Sequence, residues 1–505
     1  MSSRRQAKPP IVGGGADMVS KKSMLRILEK SDLEAIHGAT LRVLQETGIK
    51  VNSDFALDIL ASNGYQVDRS TGIVKMPESK VMEAVKSCKK NFKWHGRSEK
   101  WTVDVVNGKT KFGPGSQCLY YIDPETQEIR SSLLRDGILA CRLLDALDTV
   151  SVGFVPTYPH DVPEHAMSVV TWAAGLLNTS KLTYGGGAEE SEFELMLRIV
   201  EILTGDRETM RKKALFPGYI DPISPLGQDD GMVKVLLRYS EWNLPVFVMV
   251  MALAGGTAPA SLAGLLVQQN AEVLSSIAIA KCVNKSPKII YGSVSCPLDM
   301  RSGAAATGSP EFSLIGVGAI QLAKFYGLPS DMGVQSDSKI VDAQTSYEKM
   351  QAAMMAVLSG ADFAELFFGS TEAFNAWSPV QCVIDDQIAS NVNRIARGIE
   401  VNESTLSVDV IARTGPMGNY LKDIETMKQF RREHLQPKLS DRTTRQQWTV
   451  GGTKDINQRA KERMMTLLNS HTPEPLETEV RKNIDSLIKE YWKSCSADAL
   501  EKWRA

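Results

Sequence analysis

The stretch "PEFSLIGVGAIQLAKFYGLPSDMGVQSDSK", Pro310 to Lys339, decides the fold. Its first part, up to Gly327, is rich in small and apolar residues and reads as a helix. "PSDMGVQSDSK" then reads as a short strand that runs into a polar linker. The same pair recurs through the chain. "RDGILACRLLDAL" is followed by "DTVSVGFVP", and "EHAMSVVTWAAGLLN" by "KLTYGGG". "DGMVKVLLRYSEW" is followed by "PVFVMVMALAGG", and "SYEKMQAAMMAVLSG" by "DFAELFFGST". In all, seven strand–helix alternations lie between Leu133 and the helix "VQCVIDDQIASNVNRIARG". Such alternation predicts parallel β/α winding. The strands are short, apolar and not alternating, as expected where both faces are covered. No GxGxxG fingerprint follows the first strand, so a closed (β/α)8 TIM barrel is favoured over an open dinucleotide-binding sheet. The eighth strand is expected either around Leu119–Ile122 or beyond Val401.

Outside this body the chain divides simply. Residues 1–23, basic and broken by Gly and Pro, read as a mobile N-terminal arm. Residues 24–109 read as an N-terminal helical layer, with Ser31, Asp32 and Glu34 marking a helix start. The barrel is assigned to 110–420 and a C-terminal helical extension to 421–505. That charged tail reads either as a solvated appendage or as a contact between copies in a homo-oligomer.

The 505 residues include 58 Lys+Arg against 59 Asp+Glu. This balance gives no electrostatic reason to expect nucleic acid or an acidic membrane as partner. The longest apolar run, "LPVFVMVMALAGG", falls short of the roughly twenty residues that a membrane span needs. The seven cysteines are scattered, with no CxxC pair. Reduced thiols in a cytoplasmic protein are the simplest reading, and no metal site is expected.

A barrel carries its active site at the C-terminal ends of its strands. That rule selects His160, Tyr184 to Gly187, Tyr219 to Pro225, Ala254 to Thr257, Asp299 to Gly303, Gln335 to Thr345 and Gly369 to Trp377. No HExxH, GxSxG or P-loop is present, and the six histidines do not cluster. Hydrolysis by a nucleophile–His relay therefore has thin support.

Several pieces carry a resemblance. "GGTAPASLAGLLVQQNAEVLS", "DMRSGAAATGSPEFSLIGVGAIQLAKFYGLPSD" and "DSKIVDAQTSYEKMQAAMMAVLSGAD" look like the trimethylamine methyltransferase family. "TKFGPGSQCLYYID" and "GPMGNYL…FRREHLQPKL" are also similar to its patterns. The resemblance spans roughly residues 25 to 480. It implies a TIM-barrel enzyme that passes a methyl group from a methylated amine to the cobalt of a corrinoid protein. No corrinoid is expected to be held by this chain; a partner protein supplies it. In the family, the position after the "DAQ" stretch carries pyrrolysine. Here that position is Thr345, beside Gln344, and these two are the expected catalytic residues. The departure puts trimethylamine in doubt and resembles the branch that lacks pyrrolysine and demethylates glycine betaine and related quaternary amines.

A quaternary ammonium has no N–H, so aromatic faces or carboxylates must grip it, at about 0.5–2 kcal/mol per ring. Tyr184, Tyr219, Tyr347, Phe368, Phe374 and Trp377 are the expected cage, each with core or lid packing as its plain alternative. Arg301 is the candidate for a betaine carboxylate, unless it only pairs at the rim. Asp337, with Lys339, is read as functional or as a mutually paired loop. Two other readings stay open: a betaine-binding barrel without catalysis, and a barrel enzyme acting on a phosphorylated metabolite.

Overall fold

The computed structural model describes residues 25–115, 117–186 and 189–495. The expected arm at 1–23, and Gly187, lie outside them.

Six strands form one curled, all-parallel sheet: β1 Lys111–Pro114, β2 Gly218–Ile220, β3 Pro245–Val250, β4 Lys288–Ser293, β5 Ser330–Gly333 and β6 Phe363–Phe368. Their order is β1-β6-β5-β4-β3-β2. Two further segments extend the free edge of β1. Val150 bridges Phe112, and Val152 bridges Leu182, both in parallel. The Gly185 amide then donates to Pro217 O at 2.8 Å, next to β2 at the far edge. Hydrogen bonds thus run from each sheet edge toward the other. Eight helices follow the eight segments in turn: α1 Leu134–Ala146, α2 Met167–Asn178, α3 Glu190–Thr204, α4 Asp230–Glu241, α5 Leu262–Val283, α6 Pro310–Phe325, α7 Ala343–Ser359 and α8 Pro379–Ala396.

The strands are apolar because they are covered on both faces, and β3, β5 and β6 are buried throughout. On β3, Val246, Val248 and Val250 face the helices, whereas Phe247 points to the enclosed side beside Ile290 and Phe363. Helix α5 is long and apolar enough to cross a membrane by length and composition alone. Its residues from Leu265 to Ala280 are nearly all buried among neighbouring helices and strands, which accounts for that composition.

The place beside β6 is taken by Lys111–Pro114, upstream of both sites considered for the eighth strand. Tyr120–Ile122 instead joins a small sheet with Ile129–Ser131, Ser370–Thr371 and Ala376–Trp377. Its neighbours follow β6, so it lies at the end where the parallel strands finish. Among the described residues no strand follows Val401.

The segment expected to be a helical layer contains strands as well as helices. Ile49–Asn52 pairs with Ile73–Lys75 and with Gly227–Asp229. A second hairpin, Lys93–His95 with Thr102–Asp104, brings Trp94 to the enclosed side of the sheet. Trp94 is fully buried, 5.3 Å from Tyr184, 5.8 Å from Phe247 and 5.8 Å from Phe363 between ring centroids. It closes the end where the strands begin and leaves the opposite end as the way in.

Candidate functional site

Above that aromatic floor the enclosed face turns acidic. In the β5–β6 register Asp331 stands opposite Phe363, and Gly333 opposite Glu365. Both acids therefore project on the same side as Phe363. Asp331 and Glu365 are 0% and 2% exposed, and neither carboxyl closes a hydrogen bond. Glu365 lies flat against β1, where a Cβ on Gly113 would come within 1.8 Å of its Oε2. Only glycine leaves room there.

Buried carboxyls without partners resist ionisation. Burial, and then the neighbouring Asp331, raises Glu365 well above the usual carboxylate range. Burial likewise lifts Asp331 to about 8, although the amides of Met332 and Glu365 lie close enough to temper the rise. Asp221, just past the end of β2, is reached by solvent but so hemmed in by protein that its carboxyl rises to about 7. Water thus enters from the strand ends, where Met251 is also exposed and Tyr219 and Phe154 are half-buried.

Aromatic faces complete the wall. Tyr184 sits 5.3 Å from Phe154, 5.9 Å from Tyr219 and 4.9 Å from Phe247, edge-on to each. Its hydroxyl lies beside Glu365 without closing a hydrogen bond of ordinary geometry. Burial raises the Tyr184 phenol well above its usual value, and the Glu365 charge adds to the effect. The set combines ring faces with two carboxyls that a bound cation would draw into the ionised form. Such a surface suits a cation that offers no N–H.

Of the residues expected from sequence, the structure brings Tyr184 and Tyr219 to this place. The others lie elsewhere. Thr345 is fully buried in the first turn of α7, its hydroxyl given to Ile340 O at 2.6 Å and its amide to the cap residue Asp342. Gln344 donates to Glu348 at 2.9 Å. Glu348 also accepts from Ser336 Oγ and the Asp337 amide. Asp337 accepts from the Thr307 amide and hydroxyl and from the Gly308 amide. The polar residues after β5 therefore tie the buried β5–α7 loop to the start of α6, because a buried loop must pair its backbone groups. Lys339 is exposed and donates to Asp337 O.

Tyr347 is 62% exposed on the outer face of α7. The Arg301 side chain is 92% exposed and pairs with Asp299 of its own loop. Phe368 and Trp377 are buried: the Trp377 indole donates to Phe368 O and stacks on Tyr121, while Phe368 packs on Phe112 and Phe367. Phe374 packs at the edge of the same cluster, in a left-handed run with Glu372 and Ala373.

The contacts of Thr345 in this structure are those of a helix start. Thr345→Val should cost about 0.5–2 kcal/mol, the range for a lost helix-start contact, and leave turnover within about twofold. Denaturant melts alongside steady-state rates check both; a large fall in rate with normal stability would return Thr345 to the site.

A model of the trimethylamine methyltransferase (MTTB) family matches residues 2–494. The chain belongs to this family. A trimethylamine methyltransferase of Desulfitobacterium hafniense is 34% identical over 91% of this chain and 92% of its own length. One from Methanosarcina barkeri is 33% identical over 92% and 94%. A glycine betaine methyltransferase, also from Desulfitobacterium hafniense, is 32% identical over 92% and 96%. Membership places the chain among methyltransferases. In fold, the crystal structure of the Methanosarcina barkeri monomethylamine methyltransferase covers 92% of this chain and 89% of its own, with TM-score 0.51 at 14% identity. The hydroxylamine complex named for the same enzyme gives TM-score 0.52, also at 14% identity. These likenesses show a shared α/β architecture.

Sequence reasoning missed Asp331, Glu365 and Phe154 as wall residues, whereas Asp221 fell inside the selected stretch Tyr219 to Pro225 without being assigned a role. For two of them a sign was present. Asp331 in "SDMG" and Glu365 in "FAELFF" are lone acids within strands otherwise fit for burial on both faces. A charge that burial makes costly marks a place where something else offsets it.

Proposed function

We propose that the chain moves a methyl group from a quaternary amine, glycine betaine first, to the Co(I) centre of a corrinoid carried by a partner protein. The tertiary amine is released, dimethylglycine in the case of glycine betaine. We read the eight hydrogen-bonded segments as a (β/α)8 barrel, its mouth open to the partner, and place the reaction in the cytoplasm. The observation that carries this reading is the pair of unpartnered carboxyls, Asp331 and Glu365, within reach of Tyr184 and Tyr219. The glycine betaine methyltransferase among the relatives supports the substrate class.

The chemistry asks little of this chain beyond position. A Co(I) corrinoid supplies the electron pair for the new bond to carbon. The C–N bonding pair stays on nitrogen, which departs neutral, so no general acid is required. The chain's own residues bind the cation, aim one methyl at the mouth and exclude water. When the site is empty, protons neutralise the acid pair. Entry of the fixed positive charge displaces a proton, because the cation stabilises the carboxylate. Loss of the methyl removes that charge, the acids take the proton back, and the product loses its hold.

A longer betaine is the second reading. Arg301 stands on the rim, clear of the acid pair, where only a carboxylate held away from the ammonium would meet it. Proline betaine, carnitine and butyrobetaine are the candidates. Each quaternary amine, added singly with Co(I) corrinoid, should be tested for a change in cobalt absorbance. Binding by calorimetry with no such change for any of them would leave a betaine-binding barrel without catalysis.

Affinity for the cation should also depend on pH with a definite sign. Below the raised carboxyl range, binding must expel a proton, so affinity should rise about tenfold per pH unit and flatten once the pair ionises unaided. Calorimetry in buffers of different ionisation heat should register about one proton released per cation. Affinity flat from pH 6 to 9 would remove the acid pair from the binding site.

A further inference from the structure

We infer that Asp221 receives the carboxylate of a short betaine, donating a hydrogen bond from its own protonated carboxyl. The inference rests on the reading of Asp331 and Glu365 as the place of the ammonium group. Glycine betaine carries its carboxylate a single methylene from nitrogen, so that anion must lie close to the acid pair. Arg301 cannot serve it, because its side chain stands on the rim and already pairs with Asp299. Among the described residues no lysine, arginine or histidine offsets the charge of Asp221, Asp331 or Glu365. Lys111 spends its ammonium on Val105 O and Asn107 at the closed end, and Lys349 pairs with Asp385 between α7 and α8.

The strand places Asp221. On β2, Tyr219 stands opposite Phe247 and faces the enclosed side, while Ile220 packs among the helices. Side chains alternate along a strand, so Asp221 returns to the enclosed side, about 7 Å nearer the mouth than Tyr219. Solvent reaches it there, and among the described residues its carboxyl has no hydrogen bond or ion pair. The loop that follows is braced. Ile223 and Gly227 exchange backbone bonds of 3.0 and 2.7 Å. Glu272 of α5 accepts from the Ser224 hydroxyl and the Leu226 amide, each at 2.8 Å. Asp221 is thus held in position while its carboxyl stays free for a ligand.

A carboxyl can hold an anion only while it keeps its proton. Hemmed in by protein, Asp221 does so more readily than a free acid, since burial lifts it to about 7. Its surroundings supply no cation to reverse this. Tyr219 stands on its own strand, Asp331 on β5 and Glu365 on β6 lie beyond that ring, and Glu272 sits behind the loop. Each is a phenol or an acid, so any charge they carry favours the protonated form. A carboxylic O–H that donates to a carboxylate makes a short, charge-assisted bond. Once ionised, the same residue repels a carboxylate and attracts a quaternary amine that lacks one. Asp221 therefore sorts ligands by pH, zwitterions below its titration and plain cations above it.

Calorimetry of the full chain from pH 6 to pH 9 tests this, with glycine betaine and with choline, which carries a hydroxymethyl group in place of the carboxylate. Both ammonium groups meet the acid pair alike, so the ratio of the two affinities isolates Asp221. In the parent chain the betaine-to-choline ratio should fall about tenfold per pH unit above about pH 7, reaching roughly 100-fold by pH 9. In Asp221→Asn, whose amide donates without titrating, the ratio should stay within about twofold over the same range. Should that variant fail to fold, Asp221→Ser, which also donates and does not titrate, takes its place. A parent ratio flat in pH, with both ligands bound, overturns the inference and leaves the acid pair as the ammonium site. A ratio that falls as steeply in the variant also overturns it and assigns the effect to the acid pair. So does binding of choline with none of glycine betaine at any pH. Binding of neither ligand overturns the reading of the site itself.

Discussion

Glu365→Gln should weaken binding of the quaternary amine about 100-fold while leaving the maximal rate nearly unchanged. The carboxylate faces a cation in a dry, enclosed site, and removing one partner of such a pair costs about 2–5 kcal/mol. The loss should appear in KM, because the positive charge is greatest on the bound substrate and fades as the methyl departs. The same change should make the protein more resistant to heat at alkaline pH. Glu365 ionises far less readily in the folded chain than in the unfolded one, since burial raises it. The folded state therefore binds more protons across the window from the ordinary carboxylate range, about pH 4–5, up to the raised value. Stability falls as pH rises through that window, and glutamine abolishes this residue's share of the fall. Asp331→Asn should act the same way, its share of the fall ending near pH 8. Titration calorimetry and melts at pH 6 and pH 9 check both halves. A variant that binds the cation as tightly as the parent would show that the acid pair faces something else.

Asp385→Ala should destabilise the fold by about 3–5 kcal/mol, the range for breaking one side of a buried ion pair. Lys349 on α7 and Asp385 on α8 are each fully buried and meet at 2.8 Å. Lys349 also donates to Phe367 O, and Asp385 accepts from the Gly369 amide and from Gln381. Together they pin the end of β6, just beyond Glu365. Burial pushes the lysine down and the aspartate up, so their attraction only partly offsets desolvation. It follows that the double replacement Lys349→Met, Asp385→Leu should recover most of the lost stability in urea melts. It should still impair turnover, because the apolar pair cannot hold the strand end. A single variant that loses under about 1 kcal/mol would mean that water reaches the lysine after the change.

The aromatic candidates show why sequence located some wall residues and missed others. Tyr184 follows the bridged Leu182 and Tyr219 lies within the short β2, so the strand-end rule found them. Phe368 is also at a strand end, but β6 is irregular before it. Leu366 takes a positive φ of 61°, and the register with β1 shifts between Ala364 and Phe368. An irregularity of this kind re-aims the side chains that follow. Phe367 and Phe368 turn into the outer core, and Trp377 follows them there. Tyr347 was lost to helical periodicity. Thr345, Glu348 and Lys349 take the buried side of α7, which leaves Tyr347 outside.

By itself the sequence determined the winding, since a strand covered on both faces must be apolar and a helix beside it must be small or apolar on one side. It also determined the kinship, through residues spread over nearly the whole length. Only the tertiary structure decided the site. Whether an acid in an apolar strand points at helices or into the enclosed space depends on register, on Gly113 standing opposite, and on the irregularity at the next residue, Leu366. Those are relations between separate strands, in the case of Gly113 and Glu365 far apart in the chain, and no local pattern encodes them.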